Sequence, residues 1–185
     1  MSETSDEELM RAVREGDVGQ VGILFERHHA RVHALCFRLT RRADVADDLV
    51  QETMLRVLRY ASSYRRESAF TTWLYRLAYN VCRDHWRKTR RDEVTTDLSE
   101  VQGVIARDGD DAIDERHALL EDAMQRLAPE RRAVLVLSRY NDLGYDDIAR
   151  VLECTPAAAR VRAHRALNEL REIYRELERR QRSVR

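Results

Sequence analysis

Residues 145–170 read YDDIARVLECTPAAARVRAHRALNEL. Apolar side chains in the first eight positions recur three and four residues apart, which predicts a short amphipathic helix. The side chains expected to face inward are Tyr145, Ile148, Ala149 and Leu152. Glu153 and Cys154 form a tight turn, and Thr155 as N-cap before Pro156 signals the start of a second helix. The stretch therefore predicts a helix-turn-helix.

The second helix of this pair has an apolar side and a basic side. Its predicted core face comprises Ala159, Ala163, Ala166, Leu167, Leu170, Ile173 and Tyr174. Its outer N-terminal half presents Ala157, Ala158, Arg160, Val161, His164 and Arg165. A capped helix with a basic outer half fits the major groove of DNA, and its free N-terminal amides can meet a phosphate. Another helix is expected from Pro129 to about Tyr140, ahead of turn residues 141–144.

The segment from Asp44 to Ala61 is predicted to be a helix with one buried and one exposed side. Asp44 is the expected N-cap. The core side comprises Ala46, Leu49, Val50, Thr53, Val57 and Ala61. The opposite side carries Asp44, Asp47, Asp48, Gln51 and Glu52 together with Leu55 and Leu58. Leucines among acids indicate a docking surface for a basic, amphipathic partner, and the alternative is a surface helix whose leucines are covered by neighbours.

The segment from Phe70 to Arg90 is predicted to be a helix with a stripe suited to nucleic acid. Its core side comprises Phe70, Leu74, Leu77 and Val81, and Tyr75, Tyr79, Cys82 and Trp86 are expected to pack on a neighbouring helix. The stripe comprises Thr72, Arg76, Asn80, Arg83 and Arg87, with Asp84 at its margin and Trp73 at its border with the core. Arginine holds phosphates, whereas Asn and Asp bond base edges. The preceding polar loop, residues 64–69, is long enough to form a pocket for an extruded base.

Charge is segregated along a chain of 185 residues whose net charge is zero. Residues 61–91 hold eight basic and two acidic side chains, residues 92–122 hold two and eleven, and residues 154–185 hold nine and four. Two basic segments separated by an acidic one indicate two polyanion-binding surfaces, and the alternative is solvated helix faces.

Few glycines and prolines predict an all-α fold: a helical domain over 5–91, an acidic flexible linker over 92–112 and a smaller helical domain over 113–178. The residues after 178 are expected to fray.

Several other functional classes lack support in the sequence. The N-terminus is acidic with no apolar run behind it, and no stretch is long enough to span a bilayer. The unpaired spacing of Cys36, Cys82 and Cys154 suits a reducing cytoplasm. A zinc site is the one metal hypothesis, on His28, His29, His33 and Cys36. The preferred interpretation is a surface helix with Cys36 in the core, with no metal, cofactor or catalytic residue.

Three motifs in order resemble the extracytoplasmic-function (ECF) sigma factors of the sigma-70 superfamily. Residues 47–53, DDLVQET, resemble the helix that binds core RNA polymerase. Residues 70–80, FTTWLYRLAYN, with Asp84, resemble the segment that contacts the promoter −10 element. Leu127 to Arg132, then Tyr145 to Ala149, then His164 to Ala166, resemble the domain that reads the −35 element. The resemblance covers nearly the whole chain and implies a bacterial, cytoplasmic, non-enzymatic transcription initiation factor.

The resemblance also implies roles for individual residues. Those that would meet the clamp helices of the polymerase β′ subunit are Asp47, Asp48, Gln51, Glu52 and Leu55. Those that would bind and open the −10 DNA are Arg65, Arg66, Ser68, Thr72, Trp73, Arg76, Asn80, Arg83, Asp84 and Arg87. Those that would dock the −35 element are Thr155, Ala157, Ala158, Arg160, Val161, Arg162, His164 and Arg165.

Partners follow from the same resemblance. They are the polymerase core, through the β′ clamp helices and the β flap, promoter DNA and an anti-sigma factor, with no membrane insertion. The chain departs from the family at residues 157–159, three alanines where Gly-Thr-Val is frequent, which leaves mainly apolar contacts to thymine methyls. The alternative function is a helix-turn-helix regulator that binds an operator as a dimer, which leaves residues 44–90 without a role.

Overall fold

The computed structural model describes residues 4–65, 68–93 and 111–183. These residues form eight α-helices and a short 3₁₀ turn, without a strand, which confirms the predicted all-α fold. The helices are α1 (Asp6–Arg14), α2 (Gln20–Thr40), α3 (Ala43–Arg59), α4 (Phe70–Glu93), α5 (Asp111–Arg126), α6 (Pro129–Arg139), α7 (Tyr145–Val151) and α8 (Pro156–Arg182). In this part of the chain no helix is both long enough and apolar enough to cross a membrane.

Helices α1 to α4 pack around one hydrophobic core. Helix α2 contacts α1, α3 and α4, and α3 also contacts α4. The faces predicted from helical spacing are buried: Ala46, Leu49, Val50, Thr53, Val57 and Ala61 from α3 and the turn after it, and Phe70, Leu74, Leu77 and Val81 from α4. Ser5 and Glu8 form a capping box at the start of α1. Apolar periodicity therefore identified the core of this unit correctly, because each helix must bury its apolar stripe.

Helices α5 to α8 form a second, smaller unit. Helix α8 contacts α5, α6 and α7, and α6 contacts α7. Its core includes Leu135, Ile148, Ala163 and Leu170, all of which are buried. The two units also touch each other, through α4 against α7 and α2 against α6.

Three local predictions were wrong. Helix α3 begins at Ala43, so Asp44 lies inside its first turn, where its carboxylate binds the Arg42 guanidinium at 2.6 Å instead of capping the helix. Tyr145 is 37% exposed rather than inward, because its ring lies under the guanidinium of Arg160. Helix α8 continues to Arg182 without fraying at 178, since Leu177 is buried and anchors the additional turns.

The guanidinium of Arg132, on α6, joins the ends of two other helices. Its Nε donates to the Met124 carbonyl at 2.9 Å, and its Nη2 donates to the carbonyls of Gln125 and of Leu127. Its Nη1 donates to the Leu39 carbonyl of α2 at 2.8 Å. These are carbonyls near helix C-termini, where intrahelical donors run out. Burial lowers the pKa of Arg132, and the nearby Arg41 charge acts in the same direction.

Replacing Arg132 by lysine should destabilise the protein. The ammonium group of a lysine cannot reach all four of the carbonyls that surround the planar guanidinium. Some of these part-buried carbonyls would therefore lose their hydrogen-bond donor. We expect Arg132→Lys to lower the free energy of unfolding by about 2 kcal/mol in urea titrations followed by circular dichroism. Arg131→Lys is the matched control, because Arg131 makes an exposed ion pair with Glu169 worth under about 1 kcal/mol. Equal midpoints for the two variants would contradict this role of Arg132.

The three thiols should differ in reactivity. Cys36 and Cys82 are fully buried with their sulfur atoms 3.9 Å apart, whereas Cys154 is partly exposed. The hydrogen bond to Cys36 and burial both raise the pKa of the Cys82 thiol well above its usual value. Since the thiolate is the reactive species, we expect one thiol per chain to react rapidly with Ellman's reagent, and three to react in guanidinium chloride. Rapid reaction of more than one thiol in the native protein would show that the α2–α4 core opens easily.

Candidate functional site

The outer side of α3 is acidic with two leucines exposed on it. Asp47, Asp48 and Gln51 are exposed. Among the described residues, neighbours do not cover the leucines as the alternative interpretation required, since Leu55 is 56% and Leu58 40% exposed. Nε2 of His33, on α2, lies 3.3 Å from the Asp47 carboxylate. The face therefore combines negative charge with apolar surface, which suits a basic, amphipathic helical partner.

Glu52, another acid of that face, has a partner within the protein. The guanidinium of Arg56 lies between Glu52, at 2.8 Å, and Asp84 of α4, at 2.9 Å. Burial lowers the pKa of Arg56, but the bonds to these two carboxylates outweigh it, so the pKa is raised overall. The triad ties α3 to α4. Sequence reasoning missed Arg56, because its link to Asp84 joins positions 28 residues apart on different helices.

The residues of the stripe predicted on α4 differ in solvent exposure, from exposed to fully buried. Arg87 and Asp84 are exposed, and Arg76, Asn80 and Arg83 are half-buried. Thr72 is only 2% exposed and its hydroxyl lies 3.2 Å from the Asp147 carboxylate of α7. Trp73 is 4% exposed, and its ring packs against those of Tyr64 and Phe70, at 5.3 Å and 5.9 Å between centroids.

A cavity of about 250 Å³ opens where the loop before α4 meets that helix. The side chains lining it are Ser63, Arg65, Ser68, Thr72, Trp73, Arg76 and Arg150. Five predicted −10 residues thus converge on one cavity, and Arg150 of α7 was not among the predictions. Arg66, another predicted member, lies outside the described residues. Three arginines, hydroxyls and an indole make the cavity suitable for a phosphorylated, aromatic group.

Three buried polar atoms on α4 lack a hydrogen-bond partner within the described part of the protein. They are the indole Nε1 of Trp73, the amide Oδ1 of Asn80 and the guanidinium Nε of Arg83. Buried donors and acceptors are nearly always paired in folded proteins, so orphaned ones indicate where another molecule makes the bond. All three lie on residues predicted to bind the −10 DNA.

The start of α8 is built as the sequence predicted. Thr155 is the N-cap, with its hydroxyl accepting from the Ala158 amide at 3.1 Å, and Pro156 follows as the first helical residue. The exposed predicted residues are Thr155, Ala157, Arg160, Val161, Arg162, His164 and Arg165, with Ala158 half-buried. Ala159 is fully buried, so it is a core residue. The guanidinium of Arg160 lies 5.3 Å from the ring centroid of Tyr145, which orients it by a cation–π contact.

The histidines of α2 do not converge on a metal site. His28 is buried and its Nε2 lies 2.7 Å from the Asp6 carboxylate, while Cys36 lies in the core beside Cys82. His29 stacks on His33 with ring centroids 6.0 Å apart. In residues 4–65, 68–93 and 111–183, no group of three potential ligands could hold a metal ion.

Two family models match this chain. The model described as sigma-70 region 2 matches residues 24–92, which span most of α2 through α4, and that described as sigma-70, region 4, matches residues 117–170. The first match contains the α3 face and every residue of the α4 cavity except Arg150, and the second contains α6, α7 with Arg150, and the basic half of α8.

Curated relatives match over almost the whole length. The RNA polymerase sigma factor CarQ of Myxococcus xanthus is 35% identical, over 91% of this chain and 97% of its own. The ECF RNA polymerase sigma factor SigM of Mycobacterium tuberculosis is 34% identical, over 89% of this chain and 82% of its own.

Two solved structures share the fold. One is the sigma factor RpoE from Bartonella quintana in complex with the anti-sigma factor NepR, with a TM-score of 0.69, 22% identity and coverage of 83% of this chain and 96% of that one. The other is CnrH in complex with the cytosolic domain of CnrY, with a TM-score of 0.68, 21% identity and coverage of 92% and 97%.

Proposed function

The chain belongs to the ECF sigma factors of the sigma-70 family, alternative sigma factors that act in transcription initiation and are not enzymes, and we propose that its three surfaces divide the work of promoter recognition. In this proposal α3 binds the polymerase, the α4 cavity binds the −10 element and α8 binds the −35 element. The observation that carries it is the convergence of Arg65, Thr72, Trp73 and Arg76 on one cavity.

The α3 face is the proposed contact with the β′ clamp helices. Its exposed carboxylates can steer a basic helix, and Leu55 and Leu58 supply the apolar area that holds it. Glu52 is already bound by Arg56, so Asp48, Gln51 and Leu55 are the residues freest to meet the polymerase. A second contact, to the β flap, is proposed for the α5–α8 unit.

The α4 cavity is the proposed site for a base extruded from the −10 element. The unpartnered Nε1 of Trp73 and Oδ1 of Asn80 are available to pair with a polar ligand, while Arg65, Arg76 and Arg87 neutralise phosphates. The rings of Tyr64 and Phe70 hold Trp73 in place. Capture of a flipped base would favour strand separation, because the base is then withheld from its partner strand.

Helix α8 is the proposed reader of the −35 element. The capped N-terminus can accept a phosphate, and Arg160, Arg162, His164 and Arg165 are exposed on the side that would enter the major groove. Ala157 offers a methyl group in place of a hydrogen-bonding side chain, so thymine methyls are its expected contact.

We also propose control by an anti-sigma factor, in the cytoplasm where polymerase acts. The support is the two solved relatives of the same fold, each of which was captured in a complex, RpoE with the anti-sigma factor NepR and CnrH with the cytosolic domain of CnrY.

In vitro transcription with core polymerase on a randomised promoter library tests the function as a whole. Failure to start transcripts from any template would refute it.

Reversing the charge of Asp48 should weaken polymerase binding. Asp48 is exposed on α3 and makes no internal ion pair in the described part of the chain, so Asp48→Arg leaves the fold intact and repels a basic partner. We expect the affinity for core polymerase to fall by about tenfold in fluorescence titrations. Glu26→Arg, an equal charge change at an exposed position of α2, is the matched control. An equal loss in both variants would argue against a docking role for α3.

Removing the Asn80 amide should impair promoter opening but not polymerase binding. Asn80 is half-buried with Oδ1 unpartnered, so Asn80→Ala costs the fold little and deletes a proposed −10 contact. We expect permanganate reactivity of −10 thymines to fall about tenfold, on a promoter recovered from the library. Trp73→Ala is a poorer probe, because deleting a ring packed on Tyr64 and Phe70 leaves a destabilising cavity. An unchanged footprint for Asn80→Ala would contradict the assignment.

A further inference from the structure

A cleft of about 510 Å³ lies between α2 on one side and α5 and α6 on the other. None of the described residues that line it also lines the α4 cavity, and none is proposed to bind polymerase or DNA. Clefts that bind drug-sized molecules have volumes of about 300 to 1,000 Å³ and mostly apolar walls with a few polar groups. The cleft therefore has the size of a small-molecule site.

The walls of the cleft are mainly apolar and aromatic. Phe37 comes from α2, Leu120 and Met124 come from α5, and Val136 and Tyr140 come from α6. The two residues from α5 are four positions apart, as are the two from α6, so each pair lies on one side of its helix. Val136 is fully buried, whereas Tyr140 is 50% exposed. The cleft thus leads from the hydrophobic core to solvent, and its walls suit a flat apolar group.

Two arginines of α2 give the cleft positive charge. The guanidinium of Arg38 lies 4.4 Å from the ring centroid of Tyr140, and that of Arg41 lies 5.1 Å from the ring centroid of Phe37. Each guanidinium is thereby held against an aromatic wall. Glu121 is the one acidic side chain among the described residues of the lining, and it already forms a two-pronged pair with Arg41. The charge of Arg38 is therefore not balanced within the lining.

Both arginines keep hydrogen-bond donors that the described residues do not use. The Nε of Arg41 is buried and has no partner among them. Arg38 forms no hydrogen bond or ion pair with them, so its guanidinium N–H groups are available to a ligand. Buried donors are nearly always paired in folded proteins, so the Nε of Arg41 indicates where a bound molecule would supply an acceptor. An anionic oxygen is a strong acceptor for guanidinium groups.

Two contacts cross the cleft and limit what can enter it. Arg41 and Glu121 connect α2 with α5, and Arg38 and Tyr140 connect α2 with α6. A helix with its side chains is about 10–12 Å wide, so a helical partner would have to break these contacts. A flat aromatic molecule can lie beside them. The combination of volume, aromatic walls and unbalanced positive charge thus favours a small ligand over a protein segment.

We propose that this cleft binds a small aromatic anion, with its rings against Phe37 and the apolar side chains of α5 and α6 and its anionic oxygens on Arg38 and Arg41. The inference is independent of the proposed promoter recognition, because it uses none of the same residues. The ligand would contact α2 as well as α5 and α6, so it binds the arrangement in which the two units touch. Binding therefore stabilises that arrangement.

Titration of the full chain with three probes tests the ligand chemistry. The probe 2-naphthoate has two fused rings and a carboxylate, 2-naphthylmethanol has the same rings without the charge, and octanoate has the charge without the rings. We expect ligand-observed NMR titrations to give a Kd of about 100 µM for 2-naphthoate, as is ordinary for a ligand of this size. The other two probes should bind about tenfold more weakly, since each lacks one of the two recognised features.

Substitutions on α2 locate the binding. Arg38→Gln removes the unbalanced charge while keeping a long polar side chain, and it should weaken the binding of 2-naphthoate at least about fivefold. Arg31→Gln is the matched control, because it makes the same charge change at an exposed position of α2 outside the cleft. Ala34→Leu adds volume to the wall without removing a contact, and it should also weaken the binding. This second variant keeps the test decisive if Arg38→Gln does not fold.

The outcomes are decisive in either direction. The proposal is wrong if no probe binds the folded wild-type chain, or if 2-naphthylmethanol or octanoate binds as tightly as 2-naphthoate. Equal losses in Arg38→Gln and Arg31→Gln would indicate non-specific attraction of anions and would also contradict it. None of these results bears on the proposed function, which transcription from the promoter library tests separately.

Discussion

The packing of α4 is the interaction on which the rest of the structure depends. Its apolar side, with Phe70, Leu74 and Val81 buried, completes the core formed with α2 and α3. The same packing fixes the direction of its polar side, so that Thr72 and Arg76 line a cavity with the preceding loop. A helix of 24 residues that is buried along one side is a rigid support, which suits the proposed role of this surface in holding a separated DNA strand.

Surfaces in this protein are coupled through a few long-range polar contacts. Arg56 connects the acidic face of α3 with Asp84 at the edge of the proposed −10 site, and Arg132 connects the end of α2 with the end of α5. Each uses one guanidinium to satisfy several acceptors, which a lysine cannot do in the same geometry. Arg56 therefore links the proposed polymerase-docking face of α3 to the helix that carries the proposed −10 site.

The arrangement of the two units gives the three surfaces different accessibility. In the proposed function one polymerase holds both DNA-binding surfaces, which raises the effective concentration of each, so neither needs high affinity alone.

The sequence by itself determined the helices, their buried faces and the capped start of α8. These depend on interactions between residues three or four apart, such as the bond from the Ala158 amide to Thr155. It also placed exposed leucines on α3 and basic residues on α8 correctly. Tertiary structure alone decided that Thr72 meets Asp147, that Arg56 binds Asp84 and that Arg132 reaches Leu39. Those partners are 28 to 93 residues apart, and no local periodicity encodes which helix faces which.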